Sequence, residues 1–215
     1  MTAGLTPEAL RTRLVAEGLS PGEPVHLKLL KRERLVELWG ADADGRYRFR
    51  RAFPALALSG GPGPKMAEGD RQVPEGLYRV GPKQLNPRSR FHLGINLGYP
   101  NALERQRGWT GSALMIHGGA QSAGCYAIGD PAIEIVYGMV AAAFDAGQAE
   151  VAVHALPCRL SGDETGLDAF SARLARAEAL FVELGRPPRA GALLGQYVLE
   201  DEREFPQCDP IVAWP

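Results

Sequence analysis

The sequence predicts an α+β fold with a β-rich core and flanking helices, and three observations carry that prediction. Gly 26 and Pro 17 make up about a fifth of the 215 residues, which suits many turns between short strands. Several stretches alternate apolar and polar residues at a period of two, as half-buried strands do. Two longer stretches in the second half switch to helical spacing. With 45% hydrophobic residues and neither a repeat nor a dividing linker, one compact domain is expected.

Thr6 and Pro7 form an N-cap and first-turn pair, and Leu10, Leu14 and Val15 give a short leading helix that ends near Gly18. From Pro24, Val25, Leu27 and Leu29 alternate with His26 and Lys28, and a second strand runs from Leu35 to Trp39. The turn at Asp42 to Gly45 leads to a third strand, on which Tyr47 and Phe49 alternate with Arg46, Arg48 and Arg50. Residues 59–76 are too dense in Gly and Pro for regular structure and too long for an idle hairpin loop. LYRV at 77–80 is a short strand, and a loop through Asn86-Pro87 leads to FHLGINLGYPN at 91–101.

Ala113 to His117 is a compact apolar strand that delivers His117 into a Gly-rich turn. Asp130-Pro131 reads as the cap and first turn of a helix over about 131–146, and Val151 to Leu156 as a further strand. A second helix over about 166–185 is stopped by Gly185 and the two prolines at 187–188. The tail offers one more strand near Tyr197 to Leu199.

Charge points to no partner: 24 basic and 25 acidic residues leave a formal net charge of -1, with no global field toward nucleic acid or an anionic membrane. The basic stretches Lys28 to Arg34 and Arg46 to Arg51 are read as the wet face or edge of a sheet, since their alternation puts the cations on one side. The start lacks the apolar core of a signal peptide, and nowhere do 18 uninterrupted apolar residues occur, so the chain as given is expected to be soluble.

Three cysteines leave at least one thiol unpaired; a Cys158–Cys208 bridge is geometrically open but not required. His26, His92 and His154 lack the H-E-x-x-H or C-x-x-C spacing that would specify zinc, and no phosphate loop is present, so neither metal nor cofactor is expected.

Chemistry concentrates at 117–125. A thiol becomes a useful nucleophile beside an imidazole, and the oxyanion its attack creates needs N–H donors. His117 ends a strand, Cys125 follows Ser122-Ala-Gly124, and Gly124 permits a turn in which the amides around 124–126 converge on a carbonyl oxygen. The spacing alone leaves the bland alternative open: an inert buried cysteine and a hydrogen-bonded structural histidine.

The run MIHGGAQSAGCYAIGD at 115–130 resembles the catalytic signature of the L,D-transpeptidase (YkuD-type) family. GPGPKMAEGDRQVPEGLYRV at 61–80 and LNPRSRFHLGINLGYPNALER at 85–105 accompany it in the order of the YafK-like branch, over roughly residues 24–200. The resemblance implies a YkuD-like sandwich or barrel core over 24–157, after a helical lead at 1–23. A C-terminal extension at 158–215 is expected to pack on the same domain.

It also implies that Cys125 is the nucleophile and His117 its base, with the backbone of Gly118 or Gly119 orienting the imidazole. Ser122, Gly124 and Tyr126 would shape the turn and supply oxyanion donors, Tyr126 being equally readable as a packing residue. Most members carry a second His before the Gly-Cys and an Arg soon after the Cys, whereas Ala123 and Ala127 stand there. Arg88, Arg90, Arg105 or Arg107 would then meet a substrate carboxylate, while Asn96, Tyr99 and Asn101 would line the cleft or merely fix turns. Lys65, Glu68 and Asp70 read as a structural loop lock.

The implied activity is acyl transfer on peptidoglycan stem peptides, at the L-centre of diaminopimelate, through a Cys thioester, in cell-wall biogenesis and cell shape. The alternatives are a hydrolase that uses the same site as an amidase releasing a wall-linked lipoprotein, and a non-catalytic wall-binding module. Such substrates imply a periplasmic or exported protein whose signal is not in the given chain, with peptidoglycan as partner and no nucleic acid or membrane span.

Overall fold

Thr6 caps the first helix through its hydroxyl, which accepts the Ala9 amide, and Pro7 opens α1 (Pro7–Ala16). In this computed structural model residues 6–161 and 165–214 are described. After α1 come β1 (Val25–Leu30), β2 (Leu35–Ala41), β3 (Tyr47–Pro54), β4 (Gly76–Val80), β5 (Leu85–Asn86) and β6 (Gly94–Asn96). They are followed by α2 (Ala102–Gln106), β7 (Met115–His117), β8 (Tyr126–Ala127), α3 (Asp130–Asp145) and β9 (Val151–Leu156). The C-terminal part holds α4 (Ala169–Leu184), β10 (Ala190–Leu193), β11 (Gln196–Leu199) and β12 (Asp209–Pro210).

These strands make three sheets. The largest has the order β3-β2-β1-β9-β4, with β1 and β9 parallel and the other neighbours antiparallel. A second, β5-β6-β7-β8, carries the Gly-rich turn, and a third, β11-β10-β12, belongs to the tail. None of the described sheets closes on itself, so the barrel half of the sandwich-or-barrel expectation falls away. The described tail also holds more strand than expected, because β10 pairs with both β11 and β12.

The five-stranded sheet has a core on each face. Leu27, Leu29, Val36 and Val153 join Ile133, Val136 and Met139 of α3 on one side. Leu30, Leu77 and Leu156 join Leu174, Leu180 and Tyr197 of the C-terminal part on the other. Because both faces are covered, every residue of β1 is buried, including His26 and Lys28.

That overturns the wet-face reading for part of the basic stretch. Lys28 Nζ donates to Glu178 Oε2 of α4 at 2.5 Å and lies over the rings of Phe181 and Trp39, while His154 Nδ1 meets the other carboxylate oxygen at 2.6 Å. Burial depresses the pKa of both His26 and His154, and His26 stacks edge-on to His154. Lys31 is likewise buried, paired with Glu75 at 3.0 Å and donating to the Gly63 carbonyl at 2.5 Å. The period of two was real, but its polar positions face a helix instead of water.

One further expectation needs correction, and one open question is answered. Helix α3 is capped by Gly129, with φ of 81°, and Asp130 spends its carboxylate elsewhere. Cys208 forms no disulfide: its thiol donates to the Phe205 carbonyl at 2.8 Å.

Candidate active site

Strands β7 and β8 run parallel, with Ile116 opposite Tyr126 and His117 opposite Ala127. One step back along that register sets Cys125 level with Met115, and the period of two puts Met115 and His117 on the same face. Imidazole and thiol therefore share one face of adjacent strands. Both line a cleft of about 620 Å³ together with Asn86, Ser89, Arg90, Phe91 and Gln121.

Only residues 118–125 join the two strands, fewer than the dozen or so that a parallel connection ordinarily needs. The chain makes the crossing with glycine. Gly119 and Gly124 take φ values of 67° and 116°. A Cβ on Gly118 would lie 2.5 Å from Asp130 Oδ1 and 2.6 Å from the Phe91 carbonyl.

Hydroxyls and a carboxylate hold this turn. Ser122 Oγ accepts the Cys125 amide at 3.0 Å and donates to the Cys125 carbonyl at 2.6 Å. Ser59 Oγ accepts the Gly124 amide at 2.7 Å, and Asp130 Oδ1 accepts the Gly119 amide at 2.8 Å. The amides of Gly124 and Cys125, expected as oxyanion donors, are thus occupied in this resting geometry.

His117 Nδ1 lies 2.6 Å from the carbonyl of Gly118. A carbonyl only accepts, so Nδ1 carries the hydrogen and the neutral ring keeps Nε2 as its basic nitrogen. Phe91 lies flat on the ring, centroids 4.5 Å apart. Burial lowers the His117 pKa; the Gly118 carbonyl opposes that and the Arg90 charge adds to it.

The Cys125 thiol donates to the Ala113 carbonyl at 3.6 Å, where Ala113 itself adopts φ of 53°. Burial raises the thiol pKa, against a backbone hydrogen bond at Met115 and the charges of Arg90 and Lys65. Both shifts favour the uncharged forms at rest, a thiol and a neutral imidazole.

The other residues singled out in the sequence divide. Arg90 lines the cleft, its guanidinium 4.9 Å from the centre of the Phe91 ring. Arg88 is not among the lining residues. Asn96, Tyr99 and Asn101 do not line it either, because each is engaged internally. The Asn96 side chain accepts the Gly98 amide at 2.9 Å, buried Tyr99 donates to the Lys65 carbonyl at 3.0 Å, and Asn101 caps α2 and donates to Leu77 O and Tyr197 Oη. Arg105 and Arg107 donate to the Pro100 and Gly195 carbonyls. Tyr126 is fully buried and donates to the Pro74 carbonyl at 3.3 Å, which makes its side chain a packing group.

Lys65 pairs with Asp70 at 2.7 Å, and Asp70 collects the amides of Met66, Ala67 and Gln72, so the loop is locked by its own side chains. Sequence reasoning missed Phe91, Ser59 and the role of Asp130. Among the described residues no group of three His, Cys, Asp or Glu side chains is placed to hold a metal ion, and no helix is long and apolar enough to cross a membrane.

The model of the YkuD L,D-transpeptidase catalytic domain matches residues 30–154. YafK of Escherichia coli (strain K12), whose name places it provisionally among the L,D-transpeptidases, is 34% identical over 198 residues, covering 89% of this chain and 80% of that protein. A crystal structure of a point mutant of the helical cell shape determining protein Pgp2 from Campylobacter jejuni matches with a TM-score of 0.50 at 20% identity. It covers 82% of this chain, which spans only 61% of Pgp2, and the likeness is one of fold. With the family model over more than half its length and a relative of such coverage, the chain belongs to the YkuD family of L,D-transpeptidase catalytic domains.

Proposed function

We propose that the chain is a cysteine acyltransferase that acts on peptidoglycan stem peptides, with Cys125 as nucleophile and His117 as base. The observation that carries this reading is that the two side chains share one face of a cleft, with His117 Nδ1 tied to Gly118 so that Nε2 is left for the thiol proton.

Because both partners rest neutral, proton transfer and attack belong together. The thiol leaves the Ala113 carbonyl, gives its proton to Nε2, and sulfur adds to the carbonyl at the L-centre of diaminopimelate. The imidazolium then protonates the leaving amine as the tetrahedral adduct collapses to a thioester. An amine of a second stem resolves the thioester in transpeptidation, and water resolves it in hydrolysis. Arg90 lines the cleft and its charge favours the thiolate, which supports reading it as the partner of a substrate carboxylate. For the Gly124 or Cys125 amide to receive the oxyanion, Ser59 or Ser122 must give up its bond.

The site is read as an exported, wall-facing one. Digestion of purified peptidoglycan, with and without bound lipoprotein, followed by mass analysis tests the reading. New cross-links identify the transferase, and stems released with the addition of water identify the hydrolase. Full turnover by Cys125→Ala would overturn both, whereas a parent chain that binds the wall without turning it over would be a wall-binding module.

A further inference from the structure

Asp130 and Glu134 lie one helical turn apart on α3, and both carboxylates are committed to the frame around His117. Asp130 holds the Gly119 amide. Glu134 takes His92 Nε2 on one oxygen at 2.7 Å and the Arg13 guanidinium of α1 on the other. Arg13 also reaches the Pro131 carbonyl at 3.4 Å. The side chains of His92 and Glu134 are only 17% and 14% exposed, so this cluster is more than a wet surface pair.

His92 has φ of 71°, a left-handed conformation that a residue with a side chain keeps only when its surroundings demand it. Its two neighbours explain the demand. Phe91 stacks on the His117 ring, and Leu93 accepts the Gly118 amide at 3.2 Å. The Gly118 carbonyl in turn receives His117 Nδ1–H. Residues 91–93 therefore grip the imidazole by its face and through the peptide that sets its tautomer.

We infer that His92 and Glu134, braced by Arg13, are positioning residues for His117, holding residues 91–93 in the left-handed turn that presses Phe91 against the imidazole. The inference rests on the reading of His117 as the base. The charged or titratable groups around that ring are Arg90 and Cys125 in the cleft, Asp130 behind the Gly118-Gly119 peptide, and the His92–Glu134 pair itself. Loss of the clamp frees Phe91, admits water to the ring and removes the burial that depresses its pKa.

The test is an NMR titration of the imidazoles in the full chain, with the His117 resonance assigned by His117→Gln. In Glu134→Ala the His117 midpoint rises towards the ordinary histidine value. In Glu134→Gln, which still accepts from His92, it stays near that of the parent. His92→Asn tolerates the left-handed backbone but loses the carboxylate, and it follows Glu134→Ala if the clamp acts as inferred. With turnover in hand, the acid limb of kcat/KM moves to higher pH and kcat falls about tenfold, while KM changes little.

A purely structural role would lower the melting temperature and leave the His117 midpoint where it was. An unchanged midpoint in folded Glu134→Ala and His92→Asn overturns the inference. Because the titration needs no substrate, a parent chain without turnover would defeat the reading of His117 as a base while leaving the clamp measurable.

Discussion

The Ser122 hydroxyl grips both ends of Cys125, accepting from its amide at 3.0 Å and donating to its carbonyl at 2.6 Å. Ser59 stands beside it, hydroxyl to hydroxyl at 3.4 Å, and takes the amide of Gly124. Cys125 is set by two side chains from segments far apart in sequence.

Ser59→Ala leaves the buried Gly124 amide without its acceptor. The expected loss is about 1–3 kcal/mol, the cost of an unsatisfied buried donor, read from urea unfolding. Unchanged stability would mean that water or another group takes over the amide.

Gly118→Ala places a methyl against Asp130 Oδ1 and the Phe91 carbonyl, of which only the first can rotate away. Overpacking of this kind costs about 1–3 kcal/mol, and the displaced Gly118 peptide also loosens its grip on His117. A lowered melting temperature together with a fall in turnover is expected.

Alkylation of Cys125 by iodoacetamide should accelerate only in the alkaline range, since burial holds the thiol above its ordinary pKa. Arg90→Gln removes a charge that favours the thiolate and should move the rate profile further up in pH. A fast, pH-independent reaction below neutrality would contradict the neutral-pair description.

Burial raises the carboxyl of Glu104 to about 8, against hydrogen bonds from Tyr78 and the Asn101 amide. Between the ordinary carboxyl value and about 8 the folded chain keeps a proton that the unfolded chain releases. Stability from this group is therefore full at acid pH and falls as pH rises through that window. Glu104→Gln, which cannot ionise, should gain melting temperature relative to the parent at pH 9 and not at pH 5; equal shifts at both would refute the titration.

Lys28→Met leaves the buried Glu178 carboxylate with His154 alone. A broken buried pair costs about 3–5 kcal/mol, and unfolding by denaturant should show a loss at the lower end of that range because one partner remains.

The sequence carried the elements well and their surroundings poorly. Thr6 and Pro7 name their helix because capping is local, and Gly185 ends α4 for the same reason. His26 and Lys28 alternate as any half-exposed strand would, and nothing within β1 reveals that Glu178, about 150 residues onward, waits across the sheet. At the site, H-x7-C and its glycines are enough to bring His117 and Cys125 to one cleft, since the crossing between β7 and β8 is itself local. Ser59 and Phe91 were hidden because each reaches the site from a separate loop. Asn96, Tyr99 and Asn101 matched a family motif whose partners turn out to be backbone groups and the C-terminal Tyr197.

The proton on Cys125 has a consequence beyond catalysis. Peroxide and disulfides react with thiolates, and a sulfur whose hydrogen is donated to the Ala113 carbonyl presents little thiolate to them. On the proposed mechanism the resting protein thus carries its own protecting group, removed only when an acyl carbonyl and the His117 imidazole meet the sulfur together. Such a thiol can wait in oxidising surroundings without being spent as sulfenic acid or as a mixed disulfide.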